Sequence, residues 1–311
     1  MTADETKDQP PQIDLARADL DAYCRFAAGA RHGETWWYLT GLAPYRHYSR
    51  PFQDARGTWW FTVKPGFAWP LDFFRPVERP ARLPRRCLLG AQWPVRQGAN
   101  SAVCMNVIQD LSAYSMRQVA SNKRRAVRKG LRTLTIAAAD PADAQTARQC
   151  CEVWNSHVQR TEWNTAMAPE RFVQSWQELA AWPGTTVLLA RDPQADDAVC
   201  AWTVLRGIDD VIYVDTLASH TDRLRNRPND ALIYTTLVRA QQLGFGRAHY
   251  SLKSSLESLE RFKESMGFVP HWFSARLQLR WPVGPLMRVL RPGTYARLLG
   301  RGAPPAGDHE G

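Results

Sequence analysis

Six cysteines are scattered through 311 residues, at 24, 87, 104, 150, 151 and 200, and no two form a Cys-x-x-Cys pair. No histidine stands at a spacing that would complete a zinc set with them. Zinc fingers, zinc ribbons and dithiol redox sites are therefore excluded, and the cysteines are expected to be reduced core thiols of a cytoplasmic protein. No apolar run approaches the roughly 18–20 residues of a bilayer-spanning helix. The opening Met-Thr-Ala-Asp-Glu-Thr-Lys-Asp-Gln-Pro-Pro lacks both the basic start and the apolar centre of a secretion signal, and residues 1–12 are expected to be disordered. Acidic residues are the scarcer sign, 30 against 40 Lys and Arg, which gives a net charge of +10. That excess implies an anionic partner, such as the phosphates of a cofactor, RNA or a lipid surface; a merely soluble basic protein is the plainer reading.

What is abundant is tryptophan, 13 residues, enough to expect a packed core. A helical period runs through 13–28. Two similar segments, Thr-Trp-Trp-Tyr-Leu at 35–39 and Thr-Trp-Trp-Phe-Thr-Val at 58–63, have the aromatic and β-branched content of strands. Their tryptophan doublets are read as core packing before stacking platforms. Prolines at 65, 70, 76, 80, 84 and 94 leave room only for short strands and turns over 64–98.

A buried strand is expected at 101–110, then a helix starting near Ser112 and ending at Gly130. It carries Arg117, Lys123, Arg124, Arg125, Arg128, Lys129 and Arg132. Positions 121, 125, 128 and 132 share one face, so Arg125, Arg128 and Arg132 can grip phosphates together; a solvated basic face is the equal alternative. A strand at 131–138 follows, then helices at 141–159 and 169–181 and strands at 185–190, 199–205 and 211–217. The order ends with a helix at 229–243, a strand at 247–251, a further helix and a strand at 272–280.

That further helix lies within 249–268, where Leu252, Leu256, Leu259, Phe262 and Met266 recur at helical spacing. Ser254 with Glu257 fits a capping box, and Gly267 fits a C-terminal stop. Lys263 follows Phe262 and so sits at the edge of the apolar stripe, able to reach into a cleft beside the helix.

Here the sequence resembles the FemAB-like peptidyltransferases and their single-chain relatives within the GNAT acyltransferase superfamily. The resemblance rests on Arg-Phe-Lys-Glu-Ser-Met-Gly-Phe at 261–268, on Gln-Gln-Leu-Gly-Phe-Gly at 241–246, and on Asn-Lys-Arg-Arg-Ala-Val-Arg-Lys-Gly-Leu at 122–131, within a match over roughly 100–280. It implies an α/β chain of two GNAT-like halves, a degenerate one at 13–139 and a site-bearing one at 140–280, followed by a basic tail at 281–311. It also implies acyl transfer to an amine, with the donor between two parallel strands that splay apart, lined by 213–216 and 249–251.

A neutral amine is about one in a thousand at pH 7, a cost of about 4 kcal/mol, so a base is needed; Asp215 and His249 are the candidates, each with a structural alternative. The lysine of the family's Phe-Lys motif belongs to the transfer site, which by the match gives Lys263 the role of oxyanion donor; a surface pairing with Glu260 or Glu264 is the competing reading. Phe262, Tyr213, Thr216, Arg223, Arg225, Arg227 and Asn229 are expected toward the donor, and Tyr250, Ser251, Lys253, Arg125 and Arg128 toward the acceptor.

Many GNAT enzymes hold the coenzyme A pyrophosphate on a glycine-rich loop at a helix N-terminus. Here the matching loop, 220–230, has no glycine. Acyl-CoA is nevertheless the first donor expected, from the habit of the superfamily, with aminoacyl-tRNA as the alternative. A non-catalytic protein binding RNA or lipid stays open. The acceptor is an amine, which can be lipid-linked. The run at 280–301, mixing apolar and basic residues around Trp281 and Tyr295, can lie on an anionic membrane or pack in short pieces on the domain, its prolines and glycines favouring the second.

Overall fold

The computed structural model describes residues 52–300, apart from 57, 65, 71, 79, 81–86, 141, 142, 162–164, 181–184, 209 and 255. The helix expected at 13–28 and the strand expected at 35–39 lie outside the described residues. In chain order the elements are β1 (Phe52–Gln53), β2 (Trp59–Lys64), β3 (Phe67–Pro70), β4 (Gly90–Pro94), β5 (Ser101–Ile108), α1 (Ser121–Thr133), β6 (Thr135–Ala138), α2 (Ala144–Thr161), α3 (Pro169–Ala180), β7 (Thr185–Asp192), β8 (Ala198–Ile208) and β9 (Val211–Ser219). A 3-10 helix (Thr221–Asn226), α4 (Pro228–Gln242), β10 (Arg247–Leu252), α5 (Glu257–Ser265), β11 (Val269–Leu279), α6 (Val283–Leu290) and α7 (Pro292–Leu298) complete them. The chain is α/β, as expected.

The described residues fall into two compact units, one within Val107–Val269 and the other within Pro44–Asn106 and Pro270–Gly311. These limits differ from the 139/140 division read from the sequence. The physical reason is that α1 and β6, placed by sequence in the first half, pack with the later elements: Val127, Leu134 and Ile136 share a core with Leu232, Ile233 and Leu237 of α4.

In the first unit the strands run β10-β9-β8-β7-β6, with β6 through β9 antiparallel and β9 parallel to β10. Helices cover both faces. Ala201 and Leu205 of β8 pack with α4, whereas Trp202 turns to the other face, where it meets Trp154 of α2 and Phe172 and Trp176 of α3, and donates its indole N–H to the Cys150 carbonyl at 3.0 Å. Helix α4 is buried nearly all round, which explains its lack of a polar face.

In the second unit, β1-β2-β3-β4-β11-β5 follow in order, with β3 and β4 parallel and β1–β2, β2–β3 and β4–β11 antiparallel. The strands are short where prolines crowd, and Trp60 of the second doublet is fully buried, edge-on to Trp93 at 6.2 Å, as core packing requires. Cys87, Cys104, Cys150, Cys151 and Cys200 are buried thiols.

Two expectations on α1 need correction. The helix begins at Ser121, not near Ser112, because Asp110 accepts from the Ser112 amide and hydroxyl and Gln118 accepts from those of Ser115, local bonds that compete with a helix backbone. Gly130 does not end it either. It is buried inside the helix, and a β-carbon there would lie 2.7 Å from the Arg227 carbonyl and 2.9 Å from Ala231 Cβ, so glycine permits the close crossing of α1 over the start of α4.

Candidate active site

Parallel strands β9 and β10 are in register from Arg247↔Val211 to His249↔Tyr213, and there the pairing stops. Beyond it β9 continues to Ser219 and β10 to Leu252. Asp215 is the extra residue of a bulge on the β8 side, between Val214 opposite Leu205 and Thr216 opposite Val204. A bulge re-aims its residue and bends its strand. The divergence expected at 213–216 and 249–251 is therefore present. His249 and Tyr213 face each other edge to face at 5.0 Å where the two strands part.

Lys263 is tied to the diverging end of β10. Its Nζ donates to Glu260 Oε1 at 2.7 Å and to the Leu252 carbonyl at 3.1 Å, and stands 5.5 Å above the Tyr250 ring. The side chain is 0% exposed. The competing surface-pairing reading is thus half right about the partner and wrong about the place: Glu260 is the partner, but the pair is buried, and its 2.7 Å separation is that of a charge-assisted bond. Burial raises the Tyr250 phenol far above its usual range, so it stays neutral at physiological pH.

The capping box is not formed. Glu257 stays at the surface, Leu256 is the residue ahead of α5, and the acceptor for the Ser254 amide is Glu260 Oε1, while Ser254 Oγ takes the Leu256 amide. Glu260 wins because it reaches both that amide and Lys263 from inside. The apolar stripe also turns: Leu252 and Leu256 are exposed, Phe262 is half-buried, and Glu260, Lys263 and Met266 face inward. Gly267 does end the helix, at φ +96°, with Gly267 N–H bonded to Glu264 and Phe268 N–H to Lys263, the paired bonds of a Schellman stop.

Phe262 lies under another cation. Lys123 Nζ from α1 is 5.1 Å from its ring centre and 2.8 Å from Asp230 Oδ1, a carboxylate buried in the first turn of α4. Asn229 donates to Ser219 Oγ at 3.2 Å, and its buried Oδ1 has no hydrogen-bond partner among the described residues. Lys123, Asp230 and Glu260 are missing from the site read in sequence; the signal for Glu260 was its place three residues before Lys263.

The loop with no glycine is the 3-10 helix, started by His220, whose Nδ1 accepts from the Asp222 amide at 3.3 Å. Arg227 follows in the left-handed region at φ +61°, and Pro228 opens α4. An anion at this helix end would find proline in place of one amide and Asp230 already supplying negative charge. Arg223 approaches Asp192 at 3.7 Å, and with Arg225 it lines a cavity of about 500 Å³ shared with Gln149, Glu152 and His220, whose lining does not include Lys263. Arg227, Arg125, Arg128 and Lys253 are exposed, the two α1 arginines on the face away from Val127 and Gly130. Thr216 is half-buried, its carbonyl taking the Thr203 hydroxyl at 2.8 Å. Ser251 is half-buried at φ +57°. No group of three metal-binding side chains occurs among the described residues.

No family model and no curated protein matches the chain. Solved structures do share its fold. A domain from Agrobacterium fabrum, ascribed to the C-terminal part of a lysylphosphatidylglycerol synthetase, superimposes with a TM-score of 0.53 at 11% identity, over 90% of this chain and 98% of that one. The structure of L-PGS from Bacillus licheniformis gives 0.51 at 13% identity, over 89% and 97%. FemX gives 0.46 at 12% identity over 60% of this chain, which spans 63% of the FemX chain. At these identities the likeness is one of fold.

Proposed function

We propose that the chain moves an acyl or aminoacyl group from an activated donor to an amine. The observation that carries this reading is the placement of Lys263, a buried cation bonded to the strand end that parts from its parallel neighbour. In the reaction the amine nitrogen attacks the donor carbonyl carbon, the carbon–oxygen or carbon–sulfur bond to the carrier breaks, and one proton leaves the nitrogen. Lys263 would hold the negative charge on the carbonyl oxygen, worth about 3–4 kcal/mol for one well-placed donor. Asp215 or His249 would take the proton. Glu260 would position Lys263 and would not touch substrate.

For the donor we favour aminoacyl-tRNA over the acyl-CoA expected from sequence. Pro228 and Asp230 leave the start of α4 poorly suited to a pyrophosphate, and α1 offers an exposed arginine face to a polyanion. Fold likeness over nearly the whole of a domain ascribed to lysylphosphatidylglycerol synthesis supports a lipid-linked acceptor, although in that lipid the acceptor atom is a headgroup hydroxyl and not an amine. The second reading keeps the thioester, with phosphates held by Arg223 and Arg225 at their cavity.

Thermal unfolding with charged tRNA, acyl-CoA or neither separates the readings, because a ligand at about 100 times its Kd adds about 2.7 kcal/mol. A tRNA-only shift, with ribonuclease-sensitive transfer, supports the first; an acyl-CoA-only shift supports the second. Anion binding with no transfer to any amine would reduce the chain to a binding protein.

A further inference from the structure

We infer that α6 and α7, with the residues leading into them, form a docking surface for an anionic lipid bilayer. Neither helix has a buried residue. On α6, Leu286, Val289 and Leu290 recur at i, i+3 and i+4 and are 50%, 76% and 69% exposed, and Trp281, just before the helix, is 87% exposed. Leu88 and Leu89 extend the apolar surface: both are exposed, and the Leu89 carbonyl accepts the Arg280 amide at 3.1 Å. Large apolar side chains gathered in this way mark a surface that meets something apolar.

Charge says what that is. Between Leu279 and Gly300 the chain has Arg280, Arg288, Arg291 and Arg297 and no acidic residue. Arg288, Arg291 and Arg297 are exposed, and Arg288 bonds Tyr295 Oη at 3.2 Å, linking the two helices. A second protein surface would need acidic groups to answer the three exposed arginines and a greasy centre; a bilayer with anionic headgroups supplies both layers, apolar below and negative above. A tryptophan at the edge of such a helix suits the headgroup level. The sequence expectation that this region packs on the domain holds only for its inner side, where Met287, Tyr295 and Leu298 are half-buried and the Leu298 carbonyl accepts from Gln92 at 2.9 Å.

The test is co-sedimentation of the full chain with vesicles of phosphatidylserine and phosphatidylcholine, or of phosphatidylcholine alone, with no donor or acceptor present. Binding to the anionic vesicles should exceed that to the neutral ones at least about ten-fold and fall as salt rises to about 0.5 M. The double variant Val289→Asp/Leu290→Asp should lose at least about ten-fold, and Arg291→Gln/Arg297→Gln should lose binding on anionic vesicles only, with circular dichroism melts unchanged in both. Equal retention of the aspartate variant, binding to neither vesicle, or self-association that the same variant abolishes would each overturn the inference, the last in favour of a second copy of the chain. Because the assay contains no reaction, its failure leaves the transfer reading untouched, and failure of transfer leaves the docking surface standing.

Discussion

Helices α1 and α5 both put cations where sequence points to chemistry, yet they use them in opposite ways. On α1, Arg125, Arg128 and Arg132 stand in solvent along one face. On α5, Lys263 has no contact with solvent and is fixed by a carboxylate, a carbonyl and an aromatic ring. Exposed charges contribute a field, screened within about 8–10 Å by salt; a buried one contributes position, and its loss exposes the cost of leaving its partner alone. The number of charges on a helix therefore says little about how much any of them matters.

The largest expected effect tests the buried side. Lys263→Ala should cost about 3–5 kcal/mol in urea unfolding, since Glu260 is left buried without its cation. Restoring apolar packing with Lys263→Met and Glu260→Leu together should recover most of that stability and none of the transfer. A wild-type midpoint for Lys263→Ala would end the distinction drawn between the helices. Next in size is Gly130→Ala, expected to cost about 1–3 kcal/mol because the new methyl group meets the Arg227 carbonyl; the readout is again the unfolding midpoint.

On the exposed side, Arg125→Ala and Arg128→Ala should each change stability by no more than about 0.5 kcal/mol. Each should also lower the salt slope of tRNA binding by about one. An unchanged slope would mean that the arginine face meets no polyanion. The smallest effect concerns His157, half-buried against Trp154 and 3.1 Å from Arg160. Burial first, and Arg160 second, hold its pKa down to about 4. The unfolded chain then binds more protons than the folded one between about pH 4 and 6.5, so stability rises with pH across that window and is lost on acidification. His157→Gln should flatten that rise, measured as the difference in melting temperature between pH 7 and pH 5.

Periodicity made most of the first unit legible. The strands at 185–190, 199–205 and 211–217 and the helix at 229–243 are found within a few residues, because each buries a regular set of apolar side chains. Sequence erred where side chains outbid the pattern. Asp110 and Gln118 hold turns in a stretch with helical composition, and Glu260 takes the Ser254 amide that Glu257 would accept in a capping box. Gly130 looked like a stop because a close helix crossing cannot be seen along one chain. At the site, the expected parting of β9 and β10 was legible through the resemblance, and Lys263 through its place beside Phe262. Its burial was not, since the Leu252 carbonyl, Glu260 and the Tyr250 ring meet its Nζ only once β10 and α5 have folded against each other.

The two ends of α5 are held by different kinds of bond. Its C-terminal end is locked by the Schellman bonds, by the Ser265 carbonyl accepting the Ala120 amide, and by Tyr114 Oη donating to Met266 at 2.8 Å. The segment before its N-terminal end is held through two side chains, Glu260 on the Ser254 amide and Lys263 on the Leu252 carbonyl. Amide hydrogens at Gly267 and Phe268 should therefore exchange slowly and that of Ser254 fast, with the contrast widening in Glu260→Gln. The same two side chains that make up the buried pair also fasten the chain ahead of the helix, so parting Glu260 from Lys263 and loosening that chain are one event.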